Sequence, residues 1–313
     1  MRLPVQRVAL LLTTLFHVAA STCDNNILPS PFNSPLSSTS THSHSEISIL
    51  QYLLGRYNEH LCGTGQLEKG EYDAATEACV RSFQQHVSIH PQTGMFGRQE
   101  AEAMFAGPWS EDGYKDDGMS AASQGYLYKI LIPVHRNRSI ETTATLLDKD
   151  NNVLFEFVAR EKGHIADGCG RTIPERWPNF NNTGDGLNMY SSGGATPTGL
   201  IEIDPNTKEG NSSEYGPYPI TRFVRGIKGN AQFLMPVHRN GILLHTGEWS
   251  NYSHWLPPMS MPNSAGCVHT WPNNVAAIWD AVVKLGLNVR NNTNGALPYP
   301  YKPQGIASVF LVD

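Results

Sequence analysis

Two stretches decide how this chain reads: Ile242-Leu243-Leu244-His245-Thr246-Gly247 and, downstream, Ser264-Ala265-Gly266-Cys267-Val268-His269. The first is an apolar run ending in histidine and glycine, the pattern of a buried strand that delivers its last side chain to the end of a sheet. The second places a thiol after glycine. A thiol attacks only as thiolate, and free cysteine has a pKa of about 8.5, so a nearby imidazole must accept its proton. Glycine beside it lets backbone N–H groups approach a developing oxyanion. Cys267 is therefore the candidate nucleophile and His245 its candidate base. Three other readings use the same residues. Cys267 could be half of a disulfide with Cys169, and His245 a hydrogen-bonded core residue. His245, Cys267 and His269 could also hold zinc, because alternate residues share a strand face.

Strand signals surround these stretches. Apolar and β-branched runs at 126–132, 142–147 and 153–158 flank a polar turn at 148–152 and predict a hairpin. Further strands are expected at 199–203, 221–227, 241–244 and 307–312, with one apolar helix over 274–285 after Pro272. Residues 163–191 are rich in Gly, Pro and Asn, longer than an ordinary connection, and so functional or mobile.

The histidine-terminated strand, the Ser-x-Gly-Cys motif and the run Ser192-Gly193-Gly194-Ala195-Thr196-Pro197-Thr198-Gly199 together resemble the L,D-transpeptidase catalytic domain of the YkuD type. The resemblance implies a mainly β catalytic domain over 126–313, a β-sandwich with one or two helices, acting on peptidoglycan stem peptides by cysteine acyl transfer without metal or cofactor. It implies Cys267 as nucleophile, His245 as base, the Thr246 carbonyl as the group orienting that imidazole, and the Gly266 and Cys267 amides as oxyanion donors. Ser264, His269 and Trp249 fall where substrate contacts are expected, while His238 and His254 read as surface or pocket wall. Two positions depart from the family: Ala265 where many members carry His, and His269 where many carry Arg or Asn. These departures, together with the fold, also fit a wall-recognising protein without catalysis.

Upstream, residues 46–106 change period. Leu50-Gln51 with Leu54, Gly70 through Thr76, Ala78-Cys79-Val80, Phe83-Gln84 and Thr93-Gly94-Met95-Phe96-Gly97 predict three short helices. Their order resembles the peptidoglycan-binding domain, a small three-helix wall-targeting module. Residues 107–125 read as a linker. Residues 21–45, rich in Ser, Thr, Pro and Asn, read as a disordered leader in which His42 and His44 are solvated.

Residues 1–20 combine Arg2 and Arg7 with an apolar run and Val18-Ala19-Ala20, the form of a secretion signal too short to span a bilayer. Five cysteines in an exported chain imply disulfides with at least one thiol left over. Cys62 and Cys79 close a short local loop and form the natural pair; Cys23 with Cys169 would then leave Cys267. Five Asn-x-Ser/Thr sequons, at Asn137, Asn181, Asn211, Asn251 and Asn291, tilt toward a secretory route with glycosylation. The formal charge is -5, or -7 without Arg2 and Arg7 (21 basic against 28 acidic), and offers no basic stripe for nucleic acid.

Overall fold

The computed structural model describes residues 23–39, 41–63, 67, 69–106, 113–175, 184–247 and 261–313. The expected signal at 1–20 lies outside the described residues, as do Asn181, Trp249, Asn251 and His254.

The N-terminal helices are α1 (His44–Tyr57), the single turn α2 (Glu59–Cys62), α3 (Ala74–His86) and α4 (Arg98–Ala106). Ser43 starts α1 by accepting the Glu46 N–H at 3.2 Å while donating its hydroxyl to the Glu46 carboxylate at 2.7 Å, a reciprocal cap. Asp73 caps α3 by accepting the Thr76 N–H at 2.7 Å. Leu50, Leu54, Val80 and Phe83 face inward and are fully buried, and Cys62 is joined to Cys79 beside them. The ordered Gln, Gly and Thr positions hold turns. The Gln51 amide donates to Glu71 O and Thr76 Oγ1 at 2.9 Å and accepts the Gly70 N–H at 2.8 Å. Gln84 repeats the device, accepting Gly94 N–H at 2.9 Å and donating to Glu100 at 2.8 Å. These side chains are buried latches, not an exposed binding face.

The expectation of a disordered leader is corrected over residues 23–39. Leu28, Phe32 and Leu36 are fully buried, Leu36 exchanges two 2.9 Å backbone hydrogen bonds with Phe96, and the Phe32 ring lies 4.9 Å from that of Phe96. Cys23 is joined to Cys169, and one Arg171 nitrogen lies within 3.3 Å of the carbonyls of Leu28, Phe32 and Asn33. Composition understates this segment because its few apolar residues, spaced four apart, each enter a prepared groove. Full burial of such a side chain stabilises by about 1.5–3 kcal/mol.

Among the described residues eight strands follow: β1 (Tyr128–Val134), β2 (Thr142–Asp148), β3 (Val153–Ala159), β4 (Gly199–Asn206), β5 (Ile220–Lys228), β6 (Leu243–His245), β7 (Val268–His269) and β8 (Gly305–Leu311). They lie in the order β3-β2-β1-β8-β4-β5-β6-β7, with β1–β8 and β6–β7 parallel and the other pairs antiparallel. The two ends of this sheet meet. Arg160, just beyond β3, pairs with His269 of β7 through backbone bonds of 3.0 and 2.8 Å. The mainly β domain expected here is thus one sheet curled nearly into a barrel. Irregularities in the β4–β5 register at Leu200/Ile201 and Glu202/Ile203 mark where β4 bends.

Among the described residues, helices α5 (Ser212–Tyr215), α6 (Gly229–Leu234) and α7 (Pro272–Lys284) accompany the sheet. α7 starts on Pro272, where a missing N–H costs nothing, and buries Val275, Ile278 and Val282. Residues 113–125 are pinned to the sheet by the Lys129–Asp116 and Lys228–Asp117 ion pairs and by Tyr114 on Ser308 at 3.0 Å. One apolar cluster runs from Leu50 and Phe83 through Phe32, Tyr190 and Met235 to Ile130 and Val309. Helical segment and sheet therefore share a core. Among the described residues, no helix is long and apolar enough to cross a membrane.

Candidate active site

The parallel pairing of β6 with β7 aligns Leu244 with Val268 and His245 with His269. Both imidazoles point to the same side and their centroids lie 4.8 Å apart at 80°. The sequence gives each ring an anchor. His245 Nδ1 lies 2.6 Å from Thr246 O and His269 Nδ1 lies 2.9 Å from Pro262 O. A carbonyl can only accept, so each Nδ1 carries the proton and each Nε2 keeps its lone pair. Burial holds His245 down to about 4, with the bond to Thr246 opposing that fall. His269 is held well below the ordinary histidine value, first by burial and then by the charge His245 would carry. Both rings are neutral at pH 7.

Cys267 is the cysteine outside the two disulfides, half-buried at the start of β7. Its Sγ lies 3.8 Å from Gly241 O. Burial pushes the thiol up to about 11, against the lowering effects of a backbone hydrogen bond at Leu243 and the charge of Arg239. Thiol and imidazole are accordingly each neutral at rest, not thiolate and imidazolium.

The turn before Cys267 is locked. The Ser264 hydroxyl donates to Cys267 O at 2.7 Å and accepts the Gly266 N–H at 3.0 Å, while Thr196 Oγ1 donates to Gly266 O at 2.9 Å. The Gly266 amide, expected as an oxyanion donor, is thus engaged within the turn. Ser264, expected to touch substrate, lines the cleft, is 5% exposed and also clasps the turn. Gly266 itself is required there: its φ is +103°, and a Cβ would run into Arg239 Nη2 and approach Gly194 O to 2.8 Å.

Cys267, His245, His269, Tyr215, Glu214 and Arg239 all line one cleft of about 820 Å³. Sequence reasoning missed the last three. Tyr215, on α5, sets its ring 5.1 Å from that of His245 at 60°. Its phenol is pushed up to about 12, chiefly by burial and then by Glu214. Arg239 sits in the polar run Val237-His238-Arg239-Asn240, which reads as surface and carries no signal of burial. His238 is pocket wall as expected, its ring 4.7 Å from Tyr52 of α1. Among the described sequons, Asn137, Asn211 and Asn291 are exposed, and Asn211 stands on the cleft rim. Among the described residues, no three His, Cys, Asp or Glu side chains gather as a metal site.

No family profile and no curated protein matches this chain. Among solved structures, it is similar to an L,D-transpeptidase (Yku) from Stackebrandtia nassauensis, at 15% identity over 88% of this chain and 97% of that one, with a TM-score of 0.28.

Proposed function

We propose that the protein is an exported cysteine acyltransferase acting on peptidoglycan stem peptides, as an L,D-transpeptidase, an L,D-carboxypeptidase, or both. The observation that carries this reading is the free thiol of Cys267 sharing a cleft with His245, whose Nδ1 is tied to Thr246 so that Nε2 is left to take a proton. The motif resemblance of the two stretches supplies the substrate class.

In the proposed reaction, Cys267 Sγ attacks the carbonyl of an L-centre joined to a D-residue as its proton passes to His245 Nε2. Because both groups start neutral, transfer accompanies attack instead of preceding it. With the Gly266 amide held by Ser264, the Cys267 amide is the oxyanion donor. The proton on Nε2 then goes to the departing D-amino acid, leaving a thioester. An amine acceptor resolves it to a cross-link and water resolves it to a shortened stem, each giving its proton to Nε2, which passes it to Cys267 Sγ as the thioester bond breaks. No metal or organic cofactor takes part.

Two disulfides fit an extracellular or cell-envelope setting. The helices of residues 46–106 would supply wall targeting. With Gln51, Thr76 and Gln84 buried, the surface proposed for it is the groove of about 620 Å³ lined by Tyr52, Arg56, Glu59, Lys69 and Phe233.

A second reading is favoured by the neutral thiol and the occupied Gly266 amide: a peptidoglycan-recognising protein that keeps the architecture without turnover. Purified muropeptides incubated with the full chain decide between them. Intact-mass detection of an acyl adduct on Cys267 with release of a D-amino acid supports the enzyme; retention of muropeptide without adduct or release supports the binder. Loss of turnover on chelation, with insensitivity to thiol alkylation, would instead restore the zinc reading of His245, Cys267 and His269.

A further inference from the structure

Arg239 is a buried cation that the mechanism above does not use. It is 3% exposed. Its Nη1 donates to Met189 O at 2.5 Å and Ala195 O at 3.0 Å, and its Nη2 to Gly194 O at 2.8 Å, with Ala265 O at 3.4 Å. All four acceptors are neutral carbonyls, and among the described residues no carboxylate pairs with it. A guanidinium placed in a low-dielectric wall without a counter-ion is costly, so its field is spent on whatever negative charge arises nearby. Arg222, the other cation lowering Cys267 among the described residues, is already paired with Glu209 at 2.6 Å. Glu214 opposes negative charge at Cys267, and His245, His269 and Tyr215 face the same cleft uncharged.

We propose that Arg239 is the fixed positive charge of this cleft, a positioning residue that clamps the Gly194 and Ala265 carbonyls and favours negative charge on Cys267 Sγ. The inference rests on the reading of Cys267 as nucleophile and adds a residue to it. The attraction is mutual: burial holds Arg239 down to about 10, and Cys267 is the group that opposes that fall. The clamp also explains the glycine at 266, since the guanidinium fills the volume where a Cβ would project.

The test is the rate of iodoacetamide labelling of Cys267 across pH 7–10 in the full chain, for wild type, Arg239→Lys and Arg239→Met. Expected is a fall of about tenfold in Arg239→Met at fixed pH, the effect of one pKa unit, and recovery to within about threefold in Arg239→Lys. Coincident wild-type and Arg239→Met profiles in folded protein overturn the proposal. Should Arg239→Met fail to fold, the guanidinium 15N resonances of the wild type answer instead. They should titrate with the thiol's inflection and lose that inflection in Cys267→Ala; resonances indifferent to Cys267 overturn it. Failure of the enzyme reading is seen separately, as absence of any acyl adduct in wild type, and leaves the labelling profiles unaffected.

Discussion

His245 and His269 stand in register on adjacent parallel strands with their rings 4.8 Å apart, each held by a carbonyl on its own Nδ1. Two imidazoles so close and so buried cannot both accept protons in the folded state. The unfolded chain, with histidines near 6.5, binds protons that the folded chain refuses. Stability is therefore full above about pH 6.5 and declines as pH falls toward about 4, where His245 would protonate. For His245 alone the loss is on the order of 3 kcal/mol. Urea midpoints measured between pH 7 and 4.5 should fall steadily, and His269→Asn should fall less steeply; parallel slopes would refute the account. His238, also held down to about 4, accounts for slope that remains.

Thiol chemistry follows from the same neutrality. Alkylation of Cys267 should keep rising through pH 8–10 toward the thiol's value near 11, with no plateau near pH 6 of the kind an ion pair gives. Cys267→Ala should abolish acyl-adduct formation. His245→Ala should reduce turnover by about 10²–10⁴-fold while leaving the far-ultraviolet circular dichroism unchanged. A chelator should alter neither quantity.

Gly266→Ala should be costly in two ways. A positive φ of 103° is strained for alanine, a cost of about 1–3 kcal/mol, and the added methyl displaces the Arg239 guanidinium. Expected are a lowered thermal midpoint and lost acylation. Gly210→Ala, where a Cβ would meet nothing within 4 Å, should do neither.

Phe32→Ala tests the packing of the N-terminal segment. A fully buried ring between Phe96 and Phe105 should cost about 3–5 kcal/mol when truncated, seen as a shift of the urea midpoint. An unchanged midpoint would mean the segment is bound too loosely to matter.

Much of the sheet was legible because its strands carry local signals. Alternation in β2 and β3 with the turn at 148–152 marks the hairpin, and the apolar run into His245 marks β6. Cysteine parity and the short Cys62–Cys79 loop left Cys267 as the odd thiol. What escaped depends on partners remote in sequence. Closure of the sheet rests on one residue pair, Arg160 with His269, across 109 positions that no local pattern connects. Arg239 is invisible as a buried charge because its acceptors are backbone carbonyls, which any residue supplies. Motif spacing singles out Gly266 but carries no sign that its amide is held by Ser264.

The segment from Cys23 to Leu36 also bears on how such a chain could arise by recombination. It threads Leu28, Phe32 and Leu36 into the apolar cluster that serves helices and sheet alike, and its cysteine fastens it to the loop at 169. A crossover at residue 46 that transplanted the helices to a new host would leave Phe96 without its strand partner and Phe105 without its stacking ring. Transplanting at that seam therefore strips packing partners from the helices.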